Sequence, residues 1–173
     1  RVLFRSFWFS ATNFGGNYIS LRDPGTSNRG WNVVMGAGGV MQFQLSNVWN
    51  TNAFTVDTVQ GGWDDGQLHH YVAVYKGDIT AENVEIYIDG ERQKTSFAVN
   101  NIVSHFTISN PISIGSYDNI GNYVDGVIDE VKLFNKALSY EEVVRVNANG
   151  LVYESDPELT GLVFHQDFDT DRK

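Results

Sequence analysis

Short runs in which apolar and polar residues alternate recur along the chain at intervals of roughly ten residues. The runs lie at residues 2–10, 31–35, 40–45, 54–59, 68–75, 84–91, 94–99, 112–115 and 127–134. Alternation with a period of two predicts strands that bury one face, and many short, evenly spaced strands are typical of a two-sheet sandwich. The pattern therefore predicts an all-β protein.

Glycine-containing turns join two pairs of these runs. Gly36-Ala37-Gly38-Gly39 connects residues 31–35 with 40–45, and Asp89-Gly90 connects residues 84–91 with 94–99. Glycine tolerates the positive φ angles that tight turns require. Both pairs are therefore expected to form antiparallel hairpins.

Residues 125–143 combine a strand, a loop and the start of a helix. Strict alternation divides the strand between two faces, with Val127, Asp129, Val131 and Leu133 on one and Ile128, Glu130, Lys132 and Phe134 on the other. Further along, Ser139 and Glu142 have the spacing of a capping box, and Leu138 and Val143 can pack across it as a hydrophobic staple. These signals predict a helix over about 139–147.

Four segments carry a family resemblance. Residues 125–143 match a Gly-x-Ile-Asp-Glu-Val strand followed by Asn-x-Ala-Leu-Ser. Residues 65–75 match a strand entered through Trp-His-His-Val-Ala, with Leu68 in place of the Trp. Residues 86–91 match a Tyr-Val-Asp-Gly hairpin, and residues 7–9 match a Phe-Trp-Phe strand. Together they resemble laminin G-like domains, over roughly residues 4–147. The resemblance implies a concanavalin A-like jelly roll of two antiparallel sheets, with one short helix near the carboxyl end.

The ends of the chain depart from this family pattern. Laminin G-like domains begin with a strand that reads Leu-Val-x-x-x-x-Phe-Asp, and a similar run stands here at residues 161–169. We therefore expect a laminin G-like sandwich over residues 1–150 and a tail strand within 151–173. The tail either closes its own sheet, as in a permuted domain, or opens a following domain, or pairs with a neighbouring subunit.

Composition narrows the range of partners. The chain has 173 residues, no cysteine and a formal net charge of -9, so it can bury a core without disulfides and lacks the basic stripe of a nucleic-acid-binding protein. It also lacks an apolar run of membrane-spanning length. We expect no nucleic-acid partner and no membrane insertion, and a location that is extracellular, on a cell surface or on a virion.

The resemblance also implies a structural calcium ion. Jelly rolls of this type often hold Ca²⁺ between the first strand and an aspartate of the closing strand, which corresponds here to Asp129 with Asp167 and Asp169. Ca²⁺ takes six to eight oxygen ligands. The alternative is that Asp129 accepts backbone amides or pairs with a basic side chain.

Sugar-binding surfaces combine aromatic rings for stacking with polar side chains that reach hydroxyl groups. The ligand-binding candidates in predicted loops are Trp31, Trp49, Trp63, Tyr117 and Tyr123, with Arg22, Arg29, Asn50 and Asn52. Any one of these aromatic residues could instead belong to the core. The leading hypothesis is a non-catalytic recognition module that binds a glycan or a surface protein.

Two other functions stay open. A structural subunit or decoration domain of a virion or filament could assemble as a homo-oligomer through the terminal strand. A jelly-roll glycanase would need two carboxyl groups about 5 Å apart, and Glu85, Asp89 and Glu91 share one strand face. Tyr87 occupies the middle acidic position of the glycanase motif, and Asp89 is explained by its turn. We therefore expect no enzymatic activity.

Overall fold

The computed structural model describes residues 4–149 and 160–168, except 24, 26, 78, 105, 108, 118–120 and 167. The strands are β1 (Phe4–Ala11), β2 (Asn17–Arg22), β3 (Gly30–Gly36), β4 (Val40–Val48), β5 (Asn52–Thr58), β6 (His69–Tyr75), β7 (Val84–Ile88), β8 (Glu91–Arg92), β9 (Thr95–Asn100), β10 (Ser113–Ile114), β11 (Gly126–Phe134) and β12 (Leu162–Gln166). A 3₁₀ turn (Ala81–Asn83) precedes β7, and one α-helix, α1 (Tyr140–Asn149), follows β11 in the described part.

The strands form two antiparallel sheets of six strands each. The first sheet has the order β12-β11-β1-β6-β7-β8, and the second has the order β10-β2-β3-β4-β5-β9. The predicted all-β sandwich with a short helix is therefore confirmed. None of the described helices has the length and apolar character needed to cross a membrane.

The core between the sheets is rich in aromatic rings. Phe7, Tyr18 and Tyr71 are fully buried, and Phe7 lies between the other two, with ring centroids 5.4 Å and 5.1 Å away. Burying one such ring contributes about 1.5–3 kcal/mol. The sandwich is thus stabilised by apolar burial, as its lack of cysteine requires.

Trp31 belongs to this core, so its prediction as a loop residue for ligand stacking is wrong. It is 5% exposed within β3, and the guanidinium carbon of Arg5 lies 3.6 Å from its ring centroid. Arg5 itself is 1% exposed, and burial lowers its pKa to about 9. A ring covered by a buried cation presents no face to a ligand.

Helix α1 begins with the predicted capping box. The Ser139 hydroxyl accepts the Glu142 backbone N–H at 3.3 Å, and the Glu142 carboxylate accepts the Ser139 N–H at 2.9 Å. Val143 and Val146 of the helix pack on Val72 and Tyr87, on the outer face of the first sheet. This helix therefore occupies the outer face of one sheet of the sandwich.

Replacing Ser139 with alanine should lower the free energy of unfolding by about 1 kcal/mol, because one amide at the start of the helix loses its acceptor. Urea denaturation measures the change. Ser96→Ala is the matched control, since Ser96 is exposed on β9. A loss no larger than that of the control would contradict the contribution of the capping box.

One predicted hairpin is present and the other is wrong in its second strand. β3 pairs with β4 across residues 37–39 as predicted. The Asp89-Gly90 turn also forms, with Asp89 at φ +54°, but its partner is the two-residue β8. Residues 95–100 instead form β9 beside β5 in the second sheet. A turn motif determines where the chain reverses, whereas the partner of β9 depends on distant residues.

The closing strand β11 contains a bulge that breaks its alternation. Glu130 has φ +50°, and the register with β1 shifts at this point, so two residues of β11 oppose one of β1. As a result Ile128 packs on the same core as Val131, while Val127 is 54% exposed. The predicted division of this strand into two strictly alternating faces is therefore wrong.

The tail strand pairs within the same chain. β12 lies antiparallel to β11, with Leu133 opposite Phe164, and Phe164 packs against the core. Residue 150 and the stretch 151–159 lie outside the described residues. The boundary between residues 150 and 151 therefore stays a prediction.

Candidate functional site

The outward-pointing rows of the second sheet are rich in polar side chains, of which most are buried and a few are half-buried. Directly opposed residues in antiparallel strands point to the same side of a sheet, and the row of Ile19, Val33, Phe43 and Val56 points into the core. The neighbouring rows therefore point outward. The polar members of these outward rows, which we call the polar face, are Asn17, Ser20, Arg22, Asn32, Gln42, Gln44, Ser46, Thr55, Asp57, Ser96 and Ser113.

A chain of hydrogen bonds crosses the polar face. An Nη2–H of Arg22 donates to Gln44 Oε1 at 3.3 Å, and Gln44 Nε2 donates to Gln42 Oε1 at 3.1 Å. Burial raises the pKa of Asp57, and a hydrogen bond from Gln42 acts in the opposite direction. The chain therefore links a cation at one end of the face to a half-buried carboxylate at the other.

Three oxygen atoms of the polar face are buried without a hydrogen-bond partner among the described residues. They are Oδ1 of Asn32, Oγ1 of Thr55 and Oδ1 of Asp57. Asn32 and Thr55 are each 3% exposed. Buried polar atoms are nearly always paired in folded proteins. The face therefore has hydrogen-bonding capacity that the described residues leave unused.

One end of the polar face carries a cluster of Arg22, Trp49 and Tyr117, here called the arginine–aromatic cluster. The guanidinium carbon of Arg22 lies 5.1 Å from the Trp49 ring centroid and 5.8 Å from that of Tyr117. Both distances suit cation–π attraction. The Tyr117 hydroxyl also donates to Asn28 Oδ1 at 2.6 Å. Residues from the β2–β3 turn, the β4–β5 turn and the segment after β10 thus converge here.

Two further candidates lie in turns beside this cluster. Arg29 is half-buried in the β2–β3 turn, and its carbonyl accepts the Asp23 N–H at 2.7 Å. Asn50 is exposed at φ +64° in the β4–β5 turn, and its carbonyl accepts Nδ2–H of Asn101 at 2.8 Å. These contacts show how each residue holds its turn. A role in ligand binding stays a prediction for both.

Trp63 and Tyr123 lie away from the arginine–aromatic cluster. The Trp63 amide bonds to the β3–β4 turn at Gly39, and its half-buried ring packs on His69 with centroids 5.1 Å apart. Strand β4 has nine residues, so about 26 Å separates this turn from Trp49. Tyr123 is 66% exposed and follows Asn122, which bonds to the start of β2. The predicted aromatic set therefore divides between the two ends of the sandwich.

Two carboxylates of the glycanase-like pattern, those of Glu85 and Asp89, are engaged in other contacts. Glu85 lies 2.8 Å from Lys76 Nζ and accepts the Tyr87 hydroxyl at 3.0 Å. Burial alone would raise the pKa of Glu85, but these hydrogen bonds and the charge of Arg92 hold it below its usual range. Asp89 instead accepts the His70 N–H at 2.8 Å. With its pKa lowered, the Glu85 carboxylate stays ionised and is a poor proton donor for glycoside hydrolysis.

Asp129 is bonded to backbone amides in the structure. Its Oδ1 accepts the N–H of Glu130 at 2.8 Å and of Phe168 at 3.2 Å. Among the described residues, no three His, Cys, Asp or Glu side chains are grouped to hold a metal ion. One carboxylate bonded to two amide hydrogens does not make a calcium site. Asp167 and Asp169 lie outside the described residues, so the calcium site stays a prediction.

Most of the polar face does not appear among the residues predicted from the sequence. A signal was present, because residues 41–46 read Met-Gln-Phe-Gln-Leu-Ser and residues 54–57 read Phe-Thr-Val-Asp. Each polar position in these runs lies on the outward face opposite an apolar core position. The alternation of polar and apolar residues in these strands therefore indicated the polar face, whereas the aromatic residues that could stack on sugars lie in predicted loops.

Comparisons with known proteins bear on the fold. The family model of laminin G-type domains, described as the concanavalin A-like lectin/glucanases superfamily, matches residues 5–144. No curated protein sequence gives a significant match.

Solved structures share this architecture at low identity. The CBM40 of Ruminococcus gnavus IT-sialidase bound to α2,3 sialyllactose is 15% identical, with a TM-score of 0.61 over 84% of this chain and 82% of its own. The binding domain of botulinum neurotoxin DC in complex with SialylT is 14% identical, with a TM-score of 0.61 over 87% of this chain and 36% of its own.

Mouse laminin α1 domains LG4-5 are 15% identical, with a TM-score of 0.50 over 76% of this chain and 36% of their own. Identities this low show the fold alone. Because the family model spans most of the chain, this protein belongs to the laminin G-type domains of the concanavalin A-like lectin/glucanase superfamily.

Proposed function

We propose that this protein is a non-catalytic glycan-recognition module whose ligand lies on the polar face. The main observation in support is that the hydrogen-bonding side chains of this sheet face end at Arg22, which contacts the rings of Trp49 and Tyr117. Sugars are bound by this combination, in which ring faces stack on aromatic residues and hydroxyl groups meet polar side chains.

The rest of the sandwich supports this choice of surface. Both buried hydrophobic clusters of the described residues lie elsewhere, one between the sheets and one beneath α1. The outer face of the first sheet is thus partly occupied by the helix. The polar face has half-buried rather than buried side chains at Gln42, Gln44 and Asp57.

Ligand entry requires a small rearrangement. The unpaired oxygens of Asn32 and Thr55 flank Gln44 in one row of the face. Both residues are only 3% exposed, so a ligand can reach these oxygens only after a covering group moves. Rotation of Gln44 about its flexible side-chain bonds uncovers both oxygens and transfers its amide to the ligand.

Similarity to other binding domains supports a glycan partner. The structurally similar CBM40 is solved with α2,3 sialyllactose, and the neurotoxin binding domain is solved in complex with SialylT. Domains of the laminin G type are typically extracellular, so we place this module outside the cell. Assembly into a virion or filament through the terminal strand has no comparable support, since β12 pairs with β11 of its own chain.

A glycan array tests the proposal. We expect the full chain to bind at least one class of immobilised oligosaccharide, and Trp49→Ala to weaken binding about tenfold, equivalent to about 1.4 kcal/mol. The reason is the loss of the ring that stacks on Arg22 and borders the polar face. Affinities are measured by biolayer interferometry on the strongest hits.

Tyr123→Ala is the matched control, because Tyr123 is exposed at the opposite end of the sandwich. Its affinity should equal that of the unchanged protein. Thermal unfolding of both variants confirms that each is folded. Absence of binding across a broad array, or a loss confined to Tyr123→Ala, would count against the polar face as the site.

A further inference from the structure

We propose that the polar face selects neutral glycans over glycans that place a carboxylate, sulfate or phosphate on it. This inference rests on the proposed function and names the class of ligand. It differs from the sialylated ligands of the structural relatives, and it follows from the chemistry of the three unpaired oxygens.

The unpaired atoms of the face are mostly acceptors. Oδ1 of Asn32 and Oδ1 of Asp57 carry lone pairs and no hydrogen, whereas the Thr55 hydroxyl can donate or accept. A sugar hydroxyl can donate to all three. The oxygens of an ionised carboxylate, sulfate or phosphate only accept, so they form no hydrogen bond with Oδ1 of Asn32 or Oδ1 of Asp57.

The spacing of these atoms suits a short oligosaccharide. Asn32 on β3 and Thr55 on β5 both pair with Gln44 of β4, which lies between them. Two strand spacings therefore separate Asn32 from Thr55, a distance of about 10 Å. Asp57 is two residues beyond Thr55 on the same strand face, about 7 Å away. A single anionic group cannot meet all three positions, whereas hydroxyl groups spread over a sugar chain can.

The charge of the face acts in the same direction. Asp57 takes part in none of the ion pairs formed by the described residues. Arg22 is 4% exposed and is engaged with Gln44 and two rings, so its charge is largely withdrawn from the surface. An anionic ligand group near Asp57 therefore meets a negative charge that no ion pair of the described residues compensates.

Matched pairs of oligosaccharides test the inference. The probes are lactose against α2,3 sialyllactose, N-acetyllactosamine against its 6-sulfate, and glucose oligomers against glucuronate oligomers, measured by titration calorimetry with the full chain. We expect the neutral member of each binding pair to bind at least tenfold more tightly. Asp57→Asn should narrow this ratio about fivefold, because it removes the repelling charge.

Two variants complete the design. Asp125→Asn is the matched control, since Asp125 is exposed in the segment before β11, and it should leave the ratio unchanged. Thr55→Val keeps the side-chain shape and removes the hydroxyl, so it should weaken neutral ligands about fivefold. Thermal unfolding monitors the folding of all three proteins.

The outcomes separate the two proposals. Equal or tighter binding of the acidic members would overturn selection for neutral glycans but leave the proposal of glycan binding intact. If the Arg29→Gln variant then lost its affinity for the acidic members, the β2–β3 turn would be the place that receives the acidic group. Binding of no member of any pair, together with an empty array, overturns both proposals.

Discussion

Gly30→Ala is expected to leave the protein largely unfolded, with a loss of roughly 4 kcal/mol or more of folding free energy. Gly30 has φ +136°, and a Cβ atom there would lie 2.0 Å from the Leu21 carbonyl oxygen and 2.7 Å from Arg22 Cα. Both contacts are with the backbone of the paired strand β2, which cannot move without losing its hydrogen bonds to β3. Domains of this size have about 5–15 kcal/mol in total, so this loss is severe.

Gly38→Ala separates this steric effect from the cost of the backbone conformation. Gly38 also has a positive φ, +74°, but nothing lies within 4 Å of a Cβ atom there. Its substitution should cost only about 1–2 kcal/mol, the penalty of an L-residue in the left-handed region. Chemical denaturation and circular dichroism measure both variants. Similar losses in the two would show that strand contact at Gly30 is not the cause.

The second large effect concerns stability in acid. Burial lowers the pKa of His70 from 6.5 to about 3, the charge of Lys132 acts in the same direction, and a hydrogen bond with Asn147 opposes them. The unfolded chain therefore binds one more proton than the folded chain between these two pH values. The stabilising contribution is complete above pH 6.5 and decreases by about 1.4 kcal/mol per pH unit as the pH falls towards 3.

His70→Phe should remove this dependence. The phenyl ring does not titrate and can retain contact with Trp8, whose ring centroid lies 5.0 Å from that of His70. Between pH 6.5 and pH 4.5 the variant should lose about 2.3 kcal/mol less stability than the unchanged protein. Urea unfolding at half-unit pH steps gives this difference, because all other titrating groups are common to both proteins.

His70→Gln is the companion variant, since it keeps a polar side chain but does not titrate. It should show the same reduced pH dependence, even if its stability at neutral pH is lower. Parallel curves for the unchanged protein and both variants would mean that His70 does not remain neutral in the folded state.

Local signals in the sequence were sufficient for the elements that depend on neighbouring residues. Ser139 and Glu142 predict the helix start because both partners of the capping box lie within one turn. The glycines at 36–39 predict the β3–β4 hairpin for the same reason. Laminin G-like motifs at residues 65–75 and 125–143 extended these elements to a complete sandwich.

Elements that depend on distant residues were predicted less well. The bulge at Glu130 arises where β11 pairs with β1. Its residue type gave no indication of the bulge, because Glu130 has a positive φ although it is not a glycine. Strand β9 follows the Asp89-Gly90 turn closely but pairs with β5, which precedes it by forty residues or so. Alternation within one strand contains no information about either event.

The candidate site shows the same division. Trp49 and Tyr117 stand out in the sequence as loop aromatics, but their relation to Arg22 depends on three segments that meet only in the folded chain. Asn32 and Thr55 carry no distinctive motif. Their importance appears only when strand register places them on the same outward face.

The position of α1 on the first sheet makes the module one-sided. With Val143 and Val146 seated on that sheet, the ligand surface that we propose points away from the helix. Many copies standing side by side on a support, all with the helix inward, would display their receptive surfaces in one direction. Weak binding by each copy would then combine into high avidity for a densely glycosylated target. Random orientation of the same copies would remove this avidity.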